Sequence, residues 1–320
     1  MNTPFAPVYT WARRTSRYGV IVVLLLLGML QIFSVEITLS IQLVIALVAL
    51  LVGIPHGAID HLISIPRSDT KRFYLYIAIY IAIAALAGWA IAVWNVLGFQ
   101  LVVLMSALHF GYGDAAYLNE KRDSHARERF SIASENLYAI PAGFLPVILP
   151  LTDGRTLDAL NRINPSIEGW LGSLTDPIRR ITIAIALFAF LTFLISRKFS
   201  LAIDIALLSV LALYAPPLIA FATYFGFWHA LRHTARLVPK LERATKLAQD
   251  GQWRKSIWAA IYPGLYAVAG TIGLAAILMF TNPDELSSTL LWSTLLVIWA
   301  LTVPHMITTS RFDIRALKKN

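Results

Sequence analysis

Apolar residues come along this chain in runs of about 20, the length an α-helix needs to cross a bilayer core, and polar residues collect in short blocks between them. The pattern predicts about ten membrane-spanning helices, at 18–34, 37–55, 73–95, 97–112, 133–151, 179–196, 200–214, 217–233, 256–280 and 289–308. The expected fold is all-α: a polytopic helical bundle forming one membrane domain over 1–320. No internal repeat, low-complexity tract or linker divides it. Outside the bilayer the pattern leaves a basic cytoplasmic tail at 1–17, an external loop at 152–178 that holds Gly154, Pro165, Gly169, Gly172 and Pro177, and a basic cytoplasmic segment at 234–255. That last segment reads either as a surface helix facing anionic lipid or as a solvated loop.

Composition agrees: 58% of the 320 residues are hydrophobic and 14% charged, against about half and a quarter in a soluble domain, so a water-soluble globule is excluded. Lys and Arg exceed Asp and Glu by 27 to 18. In a soluble protein that excess would suggest nucleic acid; here it follows the basic bias of cytoplasmic loops. With the N-terminus inside, 23 of the 27 basic residues fall in the internal segments 1–17, 62–72, 113–132, 197–199, 232–255 and 309–320. The other four, Arg155, Arg162, Arg179 and Arg180, share the external loop with Asp153, Asp158, Glu168 and Asp176, and the turn at Asp284 and Glu285 is acidic. Both termini are therefore expected in the cytoplasm, and the chain is expected in the cell membrane as a multi-pass protein. Arg13, Arg14 and Arg17 precede an apolar run as in a signal peptide, but no small-residue cleavage site follows, which predicts a retained first helix. There are no cysteines, which removes disulfides, Cys-ligated zinc, iron–sulfur clusters and thiol nucleophiles.

The seven histidines are the main chemical signal. Under this topology His56, His109, His229, His233 and His305 lie toward the cytoplasmic ends of spans two, four, eight and ten, which all run the same way. His61 follows His56, and His125 belongs to the charged stretch Lys121 to Arg129. An intramembrane imidazole is costly unless paired. One alone could be an interhelical packing bond, but five at one depth point to a shared metal site.

Four local patterns carry that reading. In Trp228-His229-Ala230-Leu231-Arg232-His233 the imidazoles are four residues apart and share a helix face, with Arg232 and Arg236 expected at the interface. In Gly53-Ile54-Pro55-His56-Gly57-Ala58-Ile59-Asp60-His61 the Pro and Gly residues should break the helix, and Asp60, one turn on, could accept the proton of a ligand histidine; Asp60 and His61 also read as the first residues of a loop. In Leu108-His109-Phe110-Gly111-Tyr112-Gly113-Asp114 the acid is either a histidine partner or a helix-end carboxylate. Val303-Pro304-His305-Met306 repeats the Pro-His order, with His305 a ligand, a donor to one, or a pocket residue. Asp204 is expected near the interface or bonded to a neighbour. Tyr214-Ala215-Pro216-Pro217 reads as a sharp external turn. Phe221, Tyr224, Phe225, Phe227 and Trp228 then descend toward the HxxxH as packing surface or as the wall of a long apolar site.

Taken in order over about 35 to 308, these motifs resemble the Brp/Blh-type β-carotene 15,15′-dioxygenases, membrane enzymes that supply retinal to microbial rhodopsins. The resemblance implies a membrane oxygenase that cleaves the central double bond of β-carotene with O2 to give two retinals. It further implies Fe(2+) as cofactor, with His56, His109, His229 and His233 as its catalytic ligands, β-carotene and O2 as substrates, and the lipid bilayer and a retinal-binding rhodopsin as partners. Asp60, Asp114, His305, Trp228 and Phe110 are candidates for the surrounding pocket, and no nucleic acid is expected. The first span and the 152–178 loop carry none of the motifs. A different polyene as substrate is the alternative. Membrane di-iron desaturases need richer histidine clusters than this chain has, and a His/Asp proton or metal transporter should show the inverted repeats that are absent.

Overall fold

In a medium without water each backbone N–H and C=O must find its partner within its own segment or a closed sheet, and the chain takes the helical solution. The computed structural model describes residues 2–64, 70–167, 169–270 and 288–317, and among these there is no strand. Glu168, part of the expected 62–72 segment, the end of the 256–280 span, and the turn at Asp284 and Glu285 lie outside the described residues. In chain order the main helices are α1 (Ala6–Ile32), α2 (Leu39–Gly57), the short α3 (Asp60–Ser64), α4 (Thr70–Val93), α5 (Asn95–Ser124), α6 (Ile132–Leu151) and α7 (Gly154–Ile163). After two 3-10 turns come α8 (Thr175–Ile195), α9 (Phe199–Tyr214) and α10 (Pro217–Thr223), then a π-helical turn (Tyr224–His229), α11 (Ala230–Leu237), α12 (Glu242–Gln249), α13 (Trp253–Ile261) and α14 (Ser288–Leu317).

Seven stretches among the described residues are long and apolar enough to cross a membrane: 6–32, 39–64, 70–93, 95–124, 132–151, 172–195 and 295–317. The other three expected spans differ for separate reasons. The one at 200–214 is the 16-residue α9, the one at 217–233 is divided by the π turn, and that at 256–280 is only partly described.

The expected polar boundaries move inward. The 1–17 segment is not a tail: α1 starts at Ala6 and already buries Val8, Tyr9, Ala12 and Ser16. Half of the expected 113–132 loop continues α5, burying Asp114 and Asn119. The 152–178 loop holds α7, whose N-cap Asp153 accepts from Arg155 N at 3.0 Å. Within 234–255, α11 ends among buried residues and α12 buries Ala244 and Ala248, so this segment is a packed layer and not a solvated loop. In α5 and α11 hydropathy averaged over a window hides polar side chains, Asp114 and Arg236 among them, that find partners inside the bundle.

The tightest crossing is between α5 and α6. A Cβ on Gly111 would stand 2.0 Å from Ala139 O, and one on Gly143 1.8 Å from Ala107 O. Ala107 and Gly111 on one helix face Ala139 and Gly143 on the other, the small-xxx-small arrangement that lets membrane helices approach. Gly143→Leu is expected to cost on the order of 3 kcal/mol or more, beyond ordinary overpacking, and to abolish monodisperse detergent-extracted protein. Gly154→Ala, where nothing lies within 4 Å, should leave size-exclusion behaviour unchanged; equal behaviour of the two would contradict this packing.

Candidate functional site

Five of the seven histidines meet in one buried cluster. α2 brings His56, α5 brings His109, the π turn ends in His229, α11 brings His233 and α14 brings His305, all nine-tenths or more buried. Their ring centres form a closed quadrilateral: His56–His229 5.0 Å, His229–His109 5.2 Å, His109–His305 5.3 Å and His305–His56 5.6 Å. His233 touches every member, at 5.0 Å from His56, 5.8 Å from His229 and His305, and 6.4 Å from His109. His61 packs instead on Phe73, and His125 caps α5 and contacts Thr10 at 3.1 Å.

Local sequence explains how each ring reaches the cluster. α2 passes through Pro55 and stops just after His56 at Gly57, so the expected break falls beyond the histidine. The His305 ring packs beside Gly57, its Nδ1 3.4 Å from where a Cβ would stand, an ordinary van der Waals distance. The π turn Tyr224–His229 widens the helix just before the HxxxH; such turns are rare and concentrate at functional sites. No signal in the expected span 217–233 announced it.

The carboxylates take partners other than those nearest in sequence. Asp60 does not serve His56: its Oδ2 lies 2.8 Å from His305 Nδ1. Asp114 serves no histidine and caps no helix end. It accepts from Arg232 at 2.8 and 2.9 Å, from Trp228 Nε1 at 3.0 Å and from Tyr138 Oη at 2.5 Å. Trp228 is therefore not a wall of the histidine cluster; its indole lies under the Arg232 guanidinium, 3.7 Å from the ring centre. Phe110 does pack on the cluster, 4.4 Å from the His229 ring. Phe225 stacks on His229 at 5.9 Å and reaches His56 at 5.8 Å, over Gly53, where a Cβ would fall 1.9 Å from its Cε1.

Arg232 and Arg236, expected at the interface, are 1% and 2% exposed and form the main feature that the sequence reading missed. Arg232 joins Asp114 on α5 to Asp204 on α9, at 3.5 Å, and Asp204 in turn is held by Arg17 of α1 at 2.6 Å. Arg236 joins Glu120 of α5 at 2.9 Å to Asp313 of α14 at 2.6 Å. Because both arginines sit three residues after a cluster histidine, the ion pairs fix the helix that carries His229 and His233. Asp204 and Arg232, the two charges within the expected spans 200–214 and 217–233, were the available signal, since intramembrane charges are paired or face a cavity.

Each cluster ring has a buried nitrogen without a hydrogen-bond partner: Nδ1 of His56 and Nε2 of His109, His229, His233 and His305. One of these can be assigned as a lone pair. His305 donates its Nδ1–H to Asp60 Oδ2 at 2.8 Å, and a neutral imidazole then keeps its lone pair on Nε2. Thr309 Oγ1 lies 2.9 Å from His305 O and 3.3 Å from His109 Nδ1, so one hydroxyl links the two histidines.

Bare imidazole nitrogens facing one another suit a divalent transition ion. Neighbouring ring centres lie 5.0–6.4 Å apart, and among the described residues no three His, Asp or Glu side chains are drawn together as a metal site. The donor set, five imidazoles each with a buried unpartnered nitrogen, fits such an ion in chemistry.

An apolar groove of about 480 Å³ runs between α5 and α14. Met105, Leu108, Tyr112, Met306, Ile307 and Ile314 line it, and it reaches His109. Leu101 and Leu104 of α5 and Leu301 of α14 are exposed.

Comparison with known proteins agrees with the motifs. Residues 47–313 match the family described as "Beta-carotene 15,15'-dioxygenase". The chain is 30% identical over 265 residues to "Beta-carotene 15,15'-dioxygenase" of an uncultured marine bacterium, covering 80% of this chain and 88% of that protein. It is 27% identical over 296 residues to "Probable beta-carotene 15,15'-dioxygenase Blh" of Halobacterium salinarum, covering 83% and 82%. No solved structure matches significantly. The family match holds all five cluster histidines and leaves the whole of α1 outside. The chain belongs to the β-carotene 15,15′-dioxygenase family.

Proposed function

We propose that this chain is an iron-dependent membrane oxygenase that cleaves the central 15,15′ double bond of β-carotene with O2, giving two molecules of retinal. The observation that carries the reading is the cluster of five buried histidines, each with an unpartnered nitrogen, inside the stretch that matches the family. His56, His109, His229 and His233 would hold Fe(2+), which when bound supplies the electrons and coordination room that O2 activation needs.

The chain's own residues do the rest. Phe110 and Phe225 cover the His229 and His56 rings and exclude water from the reacting bond. The groove beside Leu108 and Met306 would take one arm of the polyene directly from the bilayer, so that the substrate never crosses water, and its methionines adapt to a methyl-studded chain. Regioselectivity would follow from the length of apolar path between the groove mouth and His109. The protein would sit in the cell membrane as a multi-pass bundle with both termini cytoplasmic, in keeping with the basic bias of the internal segments, and its product would suit a retinal-binding rhodopsin.

The test is expression in a β-carotene-accumulating bacterial host, where loss of orange colour with appearance of retinal is expected. Unchanged carotenoid beside folded, iron-loaded protein would overturn the β-carotene assignment and leave another polyene as substrate. The groove has its own test: Leu108→Trp should raise KM for β-carotene about tenfold, or ~1.4 kcal/mol, with iron content unchanged. An unaltered KM would place the substrate elsewhere.

A further inference from the structure

His305 and Asp60 form a unit that the four-histidine reading leaves unexplained. They lie 245 residues apart, on α14 and α3, yet His305 Nδ1 and Asp60 Oδ2 are 2.8 Å apart and both residues are buried. Tyr80 adds a weaker contact to the same oxygen at 3.4 Å. With its Nδ1–H donated to the carboxylate, His305 has an Nε2 without any protein partner. The ring stands 5.3 Å from His109, 5.6 Å from His56 and 5.8 Å from His233, the same spacing that those rings keep with one another.

The ring packs beside Gly57, and Thr309 ties the His305 carbonyl to His109 Nδ1 through one hydroxyl. An imidazole that served only to pack α14 against α3 would need the Asp60 bond and nothing more. A second buried nitrogen without a partner costs free energy unless something else occupies it.

We propose that His305 is a fifth imidazole of the metal centre and that Asp60 is the residue that positions it. The inference rests on the reading of the cluster as a metal site. Asp60 fixes the ring orientation and the Nδ1-protonated tautomer, and raises the basicity of Nε2, as carboxylates behind metal-binding histidines do. Among the described residues it is the one carboxylate hydrogen-bonded to a cluster histidine, so it brings the negative charge that imidazoles alone would not give a divalent ion.

The experiment titrates metal-stripped, full-length protein in detergent with Co(II), a visible-absorbing stand-in for Fe(II), and follows its d–d bands. His305→Ala is expected to weaken Co(II) binding at least ~10–100-fold and to change band position and intensity as a nitrogen leaves; added imidazole should restore the wild-type spectrum. Asp60→Asn, which keeps the ring but removes its charge partner, should weaken binding about tenfold while retaining the wild-type band pattern. Should His305→Ala fail to fold, Asp60→Asn alone decides, because a structural pair would leave Co(II) affinity untouched. Unchanged affinity and spectrum in both variants, whatever their activity, would overturn the proposal and leave His305 to the substrate. Failure of the wild-type chain to bind Co(II) or Fe(II) would overturn the metal reading itself, a separate outcome.

Discussion

Replacing His56 by alanine is expected to abolish retinal formation in β-carotene-accumulating cells, by about 100-fold or more, equivalent to ~2.7 kcal/mol or more of barrier. His125→Ala should change it less than about twofold, within the small range of peripheral substitutions. The two histidines differ in surroundings and not in type. His56 lies 5.0 Å from both His229 and His233, and alanine there removes a nitrogen and opens a hole in the middle of the cluster. His125 ends α5 with its Nδ1 near Lys121 O and Ser124 and its Nε2 near Thr10, contacts that water can replace. The comparison is retinal per unit of membrane-extracted protein, measured by chromatography. Equal losses from the two variants would mean that membership of the cluster carries no function.

The largest expected effect on stability comes from Arg232→Met. The guanidinium holds Asp114, contacts Asp204 and Ser16, and stacks on Trp228, all away from water. Removing one partner of a buried ion pair leaves the other charge uncompensated and typically costs 3–5 kcal/mol. Asp204 keeps Arg13 and Arg17, so the orphan is Asp114. Adding Asp114→Asn to Arg232→Met should therefore recover part of the loss, whereas Arg232→Lys should not, because an ammonium cannot reproduce the forked contacts and the stacking. Thermal unfolding in detergent reads all three. A loss under about 1 kcal/mol for the single variant, the range of a surface pair, would show that the network does not anchor α11.

The histidine cluster was legible in the sequence because its signal is one of depth. Rare polar residues placed at the same end of parallel apolar runs share a level in the bundle, and His56, His109, His229, His233 and His305 meet there. The partners of Asp60 and Asp114 were not legible, because spacing along a helix says which residues share a face but not which neighbouring helix that face meets. Asp60 stands one turn from His56 and binds His305; Asp114 stands near His109 and binds Arg232.

The same limit affected the charge tally. Arg232 and Arg236 counted among the cytoplasmic basic residues, yet both are interior, because a hydropathy window registers a charge and not its counter-ion. The π turn left no trace, since it changes hydrogen-bond register without needing a proline or glycine at a fixed place. The Gly111–Gly143 crossing did leave one, the small-residue pairs Ala107/Gly111 and Ala139/Gly143 on consecutive spans.

On the proposed function the histidine cluster holds the iron on which carotenoid cleavage depends. The most direct test is to strip the purified wild-type protein of metal, return Fe(II) in increments without oxygen, and measure retinal formed from β-carotene on admitting O2. No retinal is expected without iron, and the yield should rise linearly and saturate at about one iron per chain, the capacity of a single imidazole-lined site. Retinal formation at full rate by the metal-free chain would contradict that function.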